Sequence, residues 1–252
     1  MKIAVLVKQT PQVAGVKVGE KVEWSESDMI VNPFDEYAIE EAIRIKEKTG
    51  CKTVAVSYGK NSAEAALRDA LALGIDEACL VADDRFDNLD PQKTAVVLAA
   101  AIKKIDDIQV ILTGKQATDD DSAAVAPAIA AHLGWPQVGF VRKFESIEVD
   151  RVICQRTTDE GFDRMTVCPP AVFSVVKEIN EPRLPSLKGK MQAKKAPITR
   201  WSLNDLGVSV DAKLQVLQIL APPQREAGEI LSGDADQVVE ALVARLKENQ
   251  II

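Results

Sequence analysis

Residues 114–127, GKQATDDDSAAVAP, carry the types best suited to holding a ligand. They lie where an apolar run ending at Thr113 gives way to a helical pattern. In an open parallel sheet, ligands sit at the carboxyl ends of strands, and a helix N-terminus offers free backbone N–H groups to an anion. Gly114 allows close backbone approach, Lys115 and Gln116 follow it, Ser122 offers a hydroxyl, and Ala123 and Ala124 leave room. A phosphate cradle is therefore one reading. Asp119, Asp120 and Asp121 oppose it unless they face away; a solvated turn with an aspartate cap and a carboxylate metal site are the other readings. A second helix start, Asn32-Pro33-Phe34-Asp35, falls on the same side of the sheet, so both could line one site.

Catalytic material is otherwise scarce. The single histidine, His132, sits in a helical pattern ending at Gly134 and reads as a surface or helix-end residue rather than a base. The sequence has no HExxH, GxSxG, CxxC, P-loop or GxGxxG. Cys51, Cys79, Cys154 and Cys168 are scattered in strand-like or buried sequence and read as reduced core thiols of a cytosolic-type compartment. No metal site is expected from them, and a redox role would have to use a borrowed cofactor.

The elements that must position these residues alternate along the first half. Residues 3–7, 53–57, 78–81 and 110–113 are short apolar runs of strand type. Between them fall helical patterns at 32–49, 62–73 and 91–105, with another at 122–133. Asn32 can cap the first helix, Pro33 suits its first position, Asp35 complements its dipole and Gly50 ends it. Strands apolar throughout and separated by helices describe a parallel sheet covered on both faces. The gap from 10 to 30 contains VKVGEKVEW, a small hairpin. Residues 136–176 read as strands without helices, antiparallel additions to the sheet edge. A short strand near 215–219, PPQREAGE and an amphipathic helix close the chain, the helix announced by Asp234 or Asp236. The expected class is α/β: a Rossmann-like, mostly parallel sheet with helices on both faces, antiparallel additions, and a C-terminal extended arm plus helix. Residues 1–190 form the main domain in this reading and 191–252 the arm and helix.

Residues 177–200 stand apart. They carry Lys177, Arg183, Lys188, Lys190, Lys194, Lys195 and Arg200 against Glu178 and Glu181, in a chain of formal net charge -7. Pro182, Pro185 and Pro197 rule out one continuous helix or a central strand. Leu184, Leu187 and Met191 are apolar with no periodic segment to support them, which marks a surface where something docks. The acidic balance argues against nucleic acid, and the stretch lacks the interleaved aromatics of a single-strand platform. No run approaches a membrane span and the first residues do not read as a signal peptide, so no membrane insertion and a cytoplasmic location are expected.

Taken together, VNPFDEYAIEEAIRIKEK (31–48), LTGKQATDDDSAAVAP (112–127), LGWPQ (133–137) and PAVFSVVKEINEPRLPSLKGKMQAKKAPI (170–198) resemble the beta subunit of electron transfer flavoproteins over essentially the whole chain. The resemblance implies a heterodimer in which an alpha subunit holds most of a redox-active FAD. The beta subunit covers that flavin and binds AMP in its own Rossmann-like domain. It implies an electron carrier, not an enzyme, between acyl-CoA dehydrogenase-type donors and a quinone oxidoreductase acceptor. The implied nucleotide site is Leu6, Asn32, Pro33, Phe34, Asp35, Tyr58, Gly114, Lys115, Gln116, Asp119, Asp120, Asp121, Ser122, Ala123, Ala124 and Val125. Leu187, with Leu184, Lys188 and Met191, falls on the family's partner-recognition loop, and Arg156 on an arginine of the flavin-side interface. Val13 replaces a tyrosine that many carriers place over the flavin, and Thr157-Thr158-Asp159-Glu160-Gly161 replaces an acid-Asp-Gly-Gly. The family also has bifurcating members, with a second FAD in place of AMP. Asp119-Asp120-Asp121 is like the AMP type; Val125-Ala126-Pro127 and PPQREAGE are closer to the bifurcating type. AMP is the expected occupant and a second FAD the alternative. From another class, a stand-alone nucleotide-binding regulatory protein would carry no flavin.

Overall fold

The apolar runs that open the chain become the middle of one sheet. The computed structural model describes residues 1–18, 22–84, 86, 90–209, 211, 213, 214, 217, 220, 223 and 228–252. In chain order the elements begin with β1 (Lys2–Leu6), β2 (Gln9–Pro11), β3 (Lys17–Val18), β4 (Val22–Glu23), β5 (Met29–Val31) and α1 (Pro33–Thr49). Next come β6 (Lys52–Gly59), α2 (Glu64–Leu73), β7 (Glu77–Ala82), α3 (Pro91–Lys104), β8 (Ile108–Gly114) and α4 (Val125–Leu133). The second half holds β9 (Gln137–Ile147), β10 (Val152–Thr158), β11 (Gly161–Val167), β12 (Ala171–Val175), α5 (Leu187–Lys195), β13 (Thr199–Trp201) and α6 (Ala235–Glu248).

The main sheet has the order β11-β10-β9-β12-β8-β1-β6-β7-β13. Every pair from β9 to β13 along that order is parallel, and only β9–β10 and β10–β11 are antiparallel. This is the expected Rossmann-like α/β class, with two differences. Of the strands expected as antiparallel additions, β9 and β12 instead join in parallel. The register pairs Phe173 with both Val138 and Leu112, so β12 fills the gap between β8 and β9. The second difference lies at the far edge, where Thr199–Trp201 pairs with β7. The hairpin expected between 10 and 30 is present as β3–β4, beside a separate β2–β5 pair.

Alternation along the strands sends side chains to two cores. Ile3, Val5 and Phe173 face α1 and α2 with Ile39, Ile43 and Leu67. Ala4, Leu6, Val54 and Val56 face α3 and α4 with Leu98, Ile102 and Ile129. Burying one such Ile or Leu contributes roughly 1.5–3 kcal/mol, so the paired layers fix the sheet between the helices. The helix α1 begins on Pro33 and ends where Gly50 turns left-handed and donates to the Lys46 carbonyl, as the sequence indicates. Asp234, not Asp236, caps α6 and closes a capping box with Gln237. No residue of α6 is buried within the chain. The short strand expected near 215–219 lies largely outside the described residues, as does most of PPQREAGE.

Two local expectations fail, and one segment forms a helix that its apolar spacing does not announce. Residues 122–124 are not helical: α4 starts at Val125, and Asp121 and Ala123 just before it take left-handed φ of 52° and 51°. The segment 187–195 lacks an obvious apolar period yet forms α5, because Ser186 caps it and Ala193 packs inward. Cys168 is exposed, unlike the buried Cys51, Cys79 and Cys154. Among the described residues, no helix is long and apolar enough to cross a membrane.

Candidate functional site

A cleft partly open to solvent lies at the carboxyl ends of β1, β6 and β8. Leu6, Val7 and Lys8 come from the end of β1 and beyond, Tyr58 from β6, and Thr113 and Gly114 from β8. Asn32 and Asp35 come from the start of α1, and Lys115, Gln116, Ala117, Asp120 and residues 122–126 from the loop and first turn of α4. The two helix starts singled out in the sequence thus meet across one cleft. Four of the sequence-derived residues do not line it. Pro33 supplies the first position of α1, and Phe34 lies beneath the Lys115 ammonium, 5.2 Å from its ring centre. Asp119 accepts from Lys8 Nζ at 2.6 Å, and Asp121 accepts from the Gln116 amide.

Asn32 does not cap α1 as expected. Its side chain leaves the helix and crosses to the facing loop, where Nδ2 donates to the Gln116 carbonyl (2.9 Å) and Oδ1 accepts from Thr118 N–H (3.2 Å). The loop is therefore held by the start of α1. Asp35 completes the joint: its carboxylate accepts from Lys8 N–H at 2.8 Å and Gly114 N–H at 3.1 Å, tying β1, β8 and α1 at one point. Burial pushes the Asp35 carboxyl up to about 7 against the pull of these donors. Gly114 serves this joint rather than a ligand directly. A Cβ there would stand 2.6 Å from both Asp35 Oδ1 and the Phe34 carbonyl carbon.

The aspartates resolve as a braced loop. Lys8 Nζ sits 2.6 Å from Asp119 and 3.6 Å from Asp120, and Asp120 accepts from Ser122 N–H at 3.2 Å. Among the described residues, no group of three His, Cys, Asp or Glu is arranged to hold a metal. Behind this brace, Ala124 precedes α4 without a side-chain cap, and Val125 and Ala126, which line the cleft, carry the uncapped N–H groups ahead of Pro127. An uncapped N-terminus with Lys8 and Lys115 beside it suits an anion.

The opposite wall was not legible in the sequence. Phe86, Pro91, Thr94 and Leu98 line it from α3 and the segment before it. Tyr58 meets Phe86 edge to face at 4.8 Å and donates to Asp83 at 3.1 Å. Leu6, Leu98 and Val125 extend this apolar, aromatic surface. Apart from Asp90, which caps α3 through Gln92 and Lys93 N–H, nothing local marks that helix as a wall; only sheet order brings it there. The cleft can accept a flat apolar group against Tyr58 and Phe86 and an anion at α4.

Elsewhere, His132 is exposed at the end of α4. Burial pushes the Cys79 thiol up to about 12 and Cys154 to about 11, which leaves both unreactive. Val13 lies in a short turn with 74% of its surface exposed, and half-buried Arg156 stands on β10. Arg156 Nε is buried and finds no hydrogen-bond partner among the described residues. Leu184, Leu187 and Met191 are 92%, 78% and 62% exposed, and the last two line a shallow depression with Lys188, Gln192 and Lys195.

Fold and cleft together define a doubly wound α/β protein whose cleft opens where strand ends meet helix starts. A family model described as electron transfer flavoprotein domain matches residues 21–206. The chain belongs to the electron transfer flavoprotein family, as a beta-type subunit. The electron transfer flavoprotein subunit beta of Thermoanaerobacterium thermosaccharolyticum is 38% identical over 262 residues, covering 100% of both chains. The caffeyl-CoA reductase-Etf complex subunit CarD of Acetobacterium woodii is 36% identical, again over 100% of both. The subunit beta of Bacillus subtilis is 35% identical over 98% of each.

Proposed function

We propose that this chain is the beta subunit of a heterodimeric electron carrier, binding AMP in the cleft and helping to enclose an FAD held by an alpha subunit. The observation that carries the nucleotide assignment is the cleft itself, with an uncapped α4 start at one end and the Tyr58–Phe86 wall at the other. In this reading the first N–H groups of α4, with Lys8 and Lys115, hold the phosphate, and Leu6, Tyr58 and Leu98 pack the base. Of the remaining sequence-derived positions, Asn32, Asp35, Gly114 and Gln116 act mainly by fixing the loop's shape.

The flavin supplies the electron chemistry when bound; the protein's residues set its access and surroundings. Arg156 fits such a task, because a buried guanidinium nitrogen with no partner among the described residues is a donor suited to an acceptor from the alpha subunit or flavin. Val13 belongs to the same flavin-side interface. The start of the expected arm 191–252 is held in this chain by α5 and β13, and its closing helix docks on the alpha subunit, which gives α6 the cover its Val239, Leu242 and Val243 lack here. Leu184, Leu187, Lys188 and Met191 form the surface for an acyl-CoA dehydrogenase-type donor, with a quinone oxidoreductase as acceptor. A small apolar cluster ringed by lysines suits an interface that must form and release quickly.

A second FAD in place of AMP is the other reading, as in a bifurcating complex. The 36% identical relative named as part of a caffeyl-CoA reductase-Etf complex favours it. The nucleotide content of the denatured alpha–beta complex, resolved by chromatography, separates the two. One FAD and one AMP per heterodimer is the expected result; two FAD without AMP would replace the carrier assignment with the bifurcating one.

A further inference from the structure

We propose that Arg183 is a positioning residue for partner docking, clamping the strap 180–186 onto α1 so that Leu184, Leu187 and Met191 stand ready before a partner arrives. This rests on the docking role proposed for those three residues. The strap needs an external hold. Pro182 and Pro185 cannot donate backbone hydrogen bonds, and its Leu184 side chain faces solvent.

The hold is a two-carboxylate clamp. Arg183 Nε and Nη2 donate to Glu40 at 2.8 and 3.1 Å, and Nη1 and Nη2 donate to Glu47 at 2.6 and 3.1 Å. Arg183 N–H adds a fifth bond, to Glu40 at 3.2 Å. Only the flat, forked guanidinium can engage two carboxylates this way. Glu40 and Glu47 lie two turns apart on α1, whose Ile39 and Ile43 are packed in the core, so the clamp stands on a rigid base. Glu40 is 3% exposed and also accepts from Arg44 at 2.7 Å. A carboxylate buried at that point is costly for stability and most useful for fixing one arrangement. Neither it nor Arg183 lines the nucleotide cleft.

Neighbouring contacts leave Leu184 and Leu187 little room to wander. Upstream, Asn180 donates to the Tyr37 carbonyl and to Glu41, each at 3.0 Å. Downstream, Ser186 accepts from Gly189 N–H at 3.0 Å, and Gly189 lies so close to the Ala72 carbonyl that no Cβ would fit. Arg68 then donates to the Ala193 carbonyl at 2.6 Å. Helix α5 is thus seated on α2, and Arg183 sets the path into it. A surface ordered in advance loses less freedom on docking and binds more tightly for the same contacts.

The test uses the intact alpha–beta complex with Arg183→Met, Arg183→Lys and Leu187→Ala. The probe is an acyl-CoA dehydrogenase, with its acyl-CoA, that reduces the wild-type complex. Amide hydrogen exchange over 184–196 should speed up about tenfold or more in Arg183→Met, the scale of losing charge-assisted hydrogen bonds. The KM for the complex should rise about tenfold while kcat and bound flavin stay near wild type. Arg183→Lys should recover only part of both effects, because an ammonium cannot bridge two carboxylates side on. If Arg183→Met does not assemble, Glu47→Gln carries the same readouts, since it removes the exposed half of the clamp and leaves Glu40 paired. Unchanged exchange, or faster exchange with unchanged KM, would overturn the positioning role. A KM unmoved by Leu187→Ala would instead remove the docking surface, and the positioning role with it.

Discussion

Replacing Gly114 with alanine should injure both stability and nucleotide retention, and the size follows from three distances. The added Cβ would lie 2.6 Å from the Phe34 carbonyl carbon, 2.7 Å from Phe34 Cβ and 2.6 Å from Asp35 Oδ1. Carbon atoms rest at about 3.5–4.0 Å, so the first turn of α1 must retreat by about 1 Å. Overpacking of this kind costs about 1–3 kcal/mol. The retreat also pulls Asp35 from Gly114 N–H, now at 3.1 Å, and above about pH 7, where this carboxyl is ionised, a hydrogen bond to a charged group is worth about 1.5–3 kcal/mol. Together these give about 2.5–6 kcal/mol, or about 5–24 °C in Tm for a chain of this size. Asn32 moves with the turn, so its bonds to Gln116 and Thr118 loosen and the cleft should retain less nucleotide. Gly50→Ala is the control: its φ is +70° with nothing within 4 Å, so only the left-handed strain of about 1–2 kcal/mol applies. Denaturant melts of the two variants in the alpha–beta complex, with nucleotide content measured alongside, make the comparison. Equal losses in both, with nucleotide retained by Gly114→Ala, would refute the close-approach reasoning.

Two further outcomes follow from the charges around the cleft. Burial raises Asp35 from 3.8 to about 7, so between those values the folded protein keeps a proton that the unfolded chain has released. This group's contribution to stability should therefore decline as pH rises from about 4 to about 7, by up to about 4 kcal/mol. Asp35→Asn should flatten that part of the profile, and an unchanged wild-type-to-variant difference between pH 5 and pH 7.5 would argue against it. Lys8→Met should leave Asp120, which lines the cleft, and Asp119 beside it without their shared cation. AMP affinity, titrated calorimetrically into nucleotide-stripped complex, should fall about 10–100-fold, with the gap narrowing in salt. Equal affinities would place the brace outside the binding energetics.

The sequence by itself determined what local physics decides. Apolar runs free of alternation gave strands buried on both faces, Pro33 and Gly50 bounded α1, and the order of elements implied a parallel sheet with sites at its strand ends. Gly114, Asp35 and the loop to Val125 were legible as site material, and Leu184, Leu187 and Met191 as exposed, because each signal lies within a few residues. Tertiary structure decided what each residue touches. Asn32 looks like a helix cap and is a bridge to residues 116–118, since the facing loop competes for its amide. The aspartates at 119–121 look hostile to an anion until Lys8, distant in sequence, is seen to brace two of them. The α3 wall, the seating of β13 beside β7 and the Arg183 clamp on α1 carry no local mark at all. Periodicity and capping act between near neighbours along the chain. These contacts join residues that only sheet order and helix packing bring together.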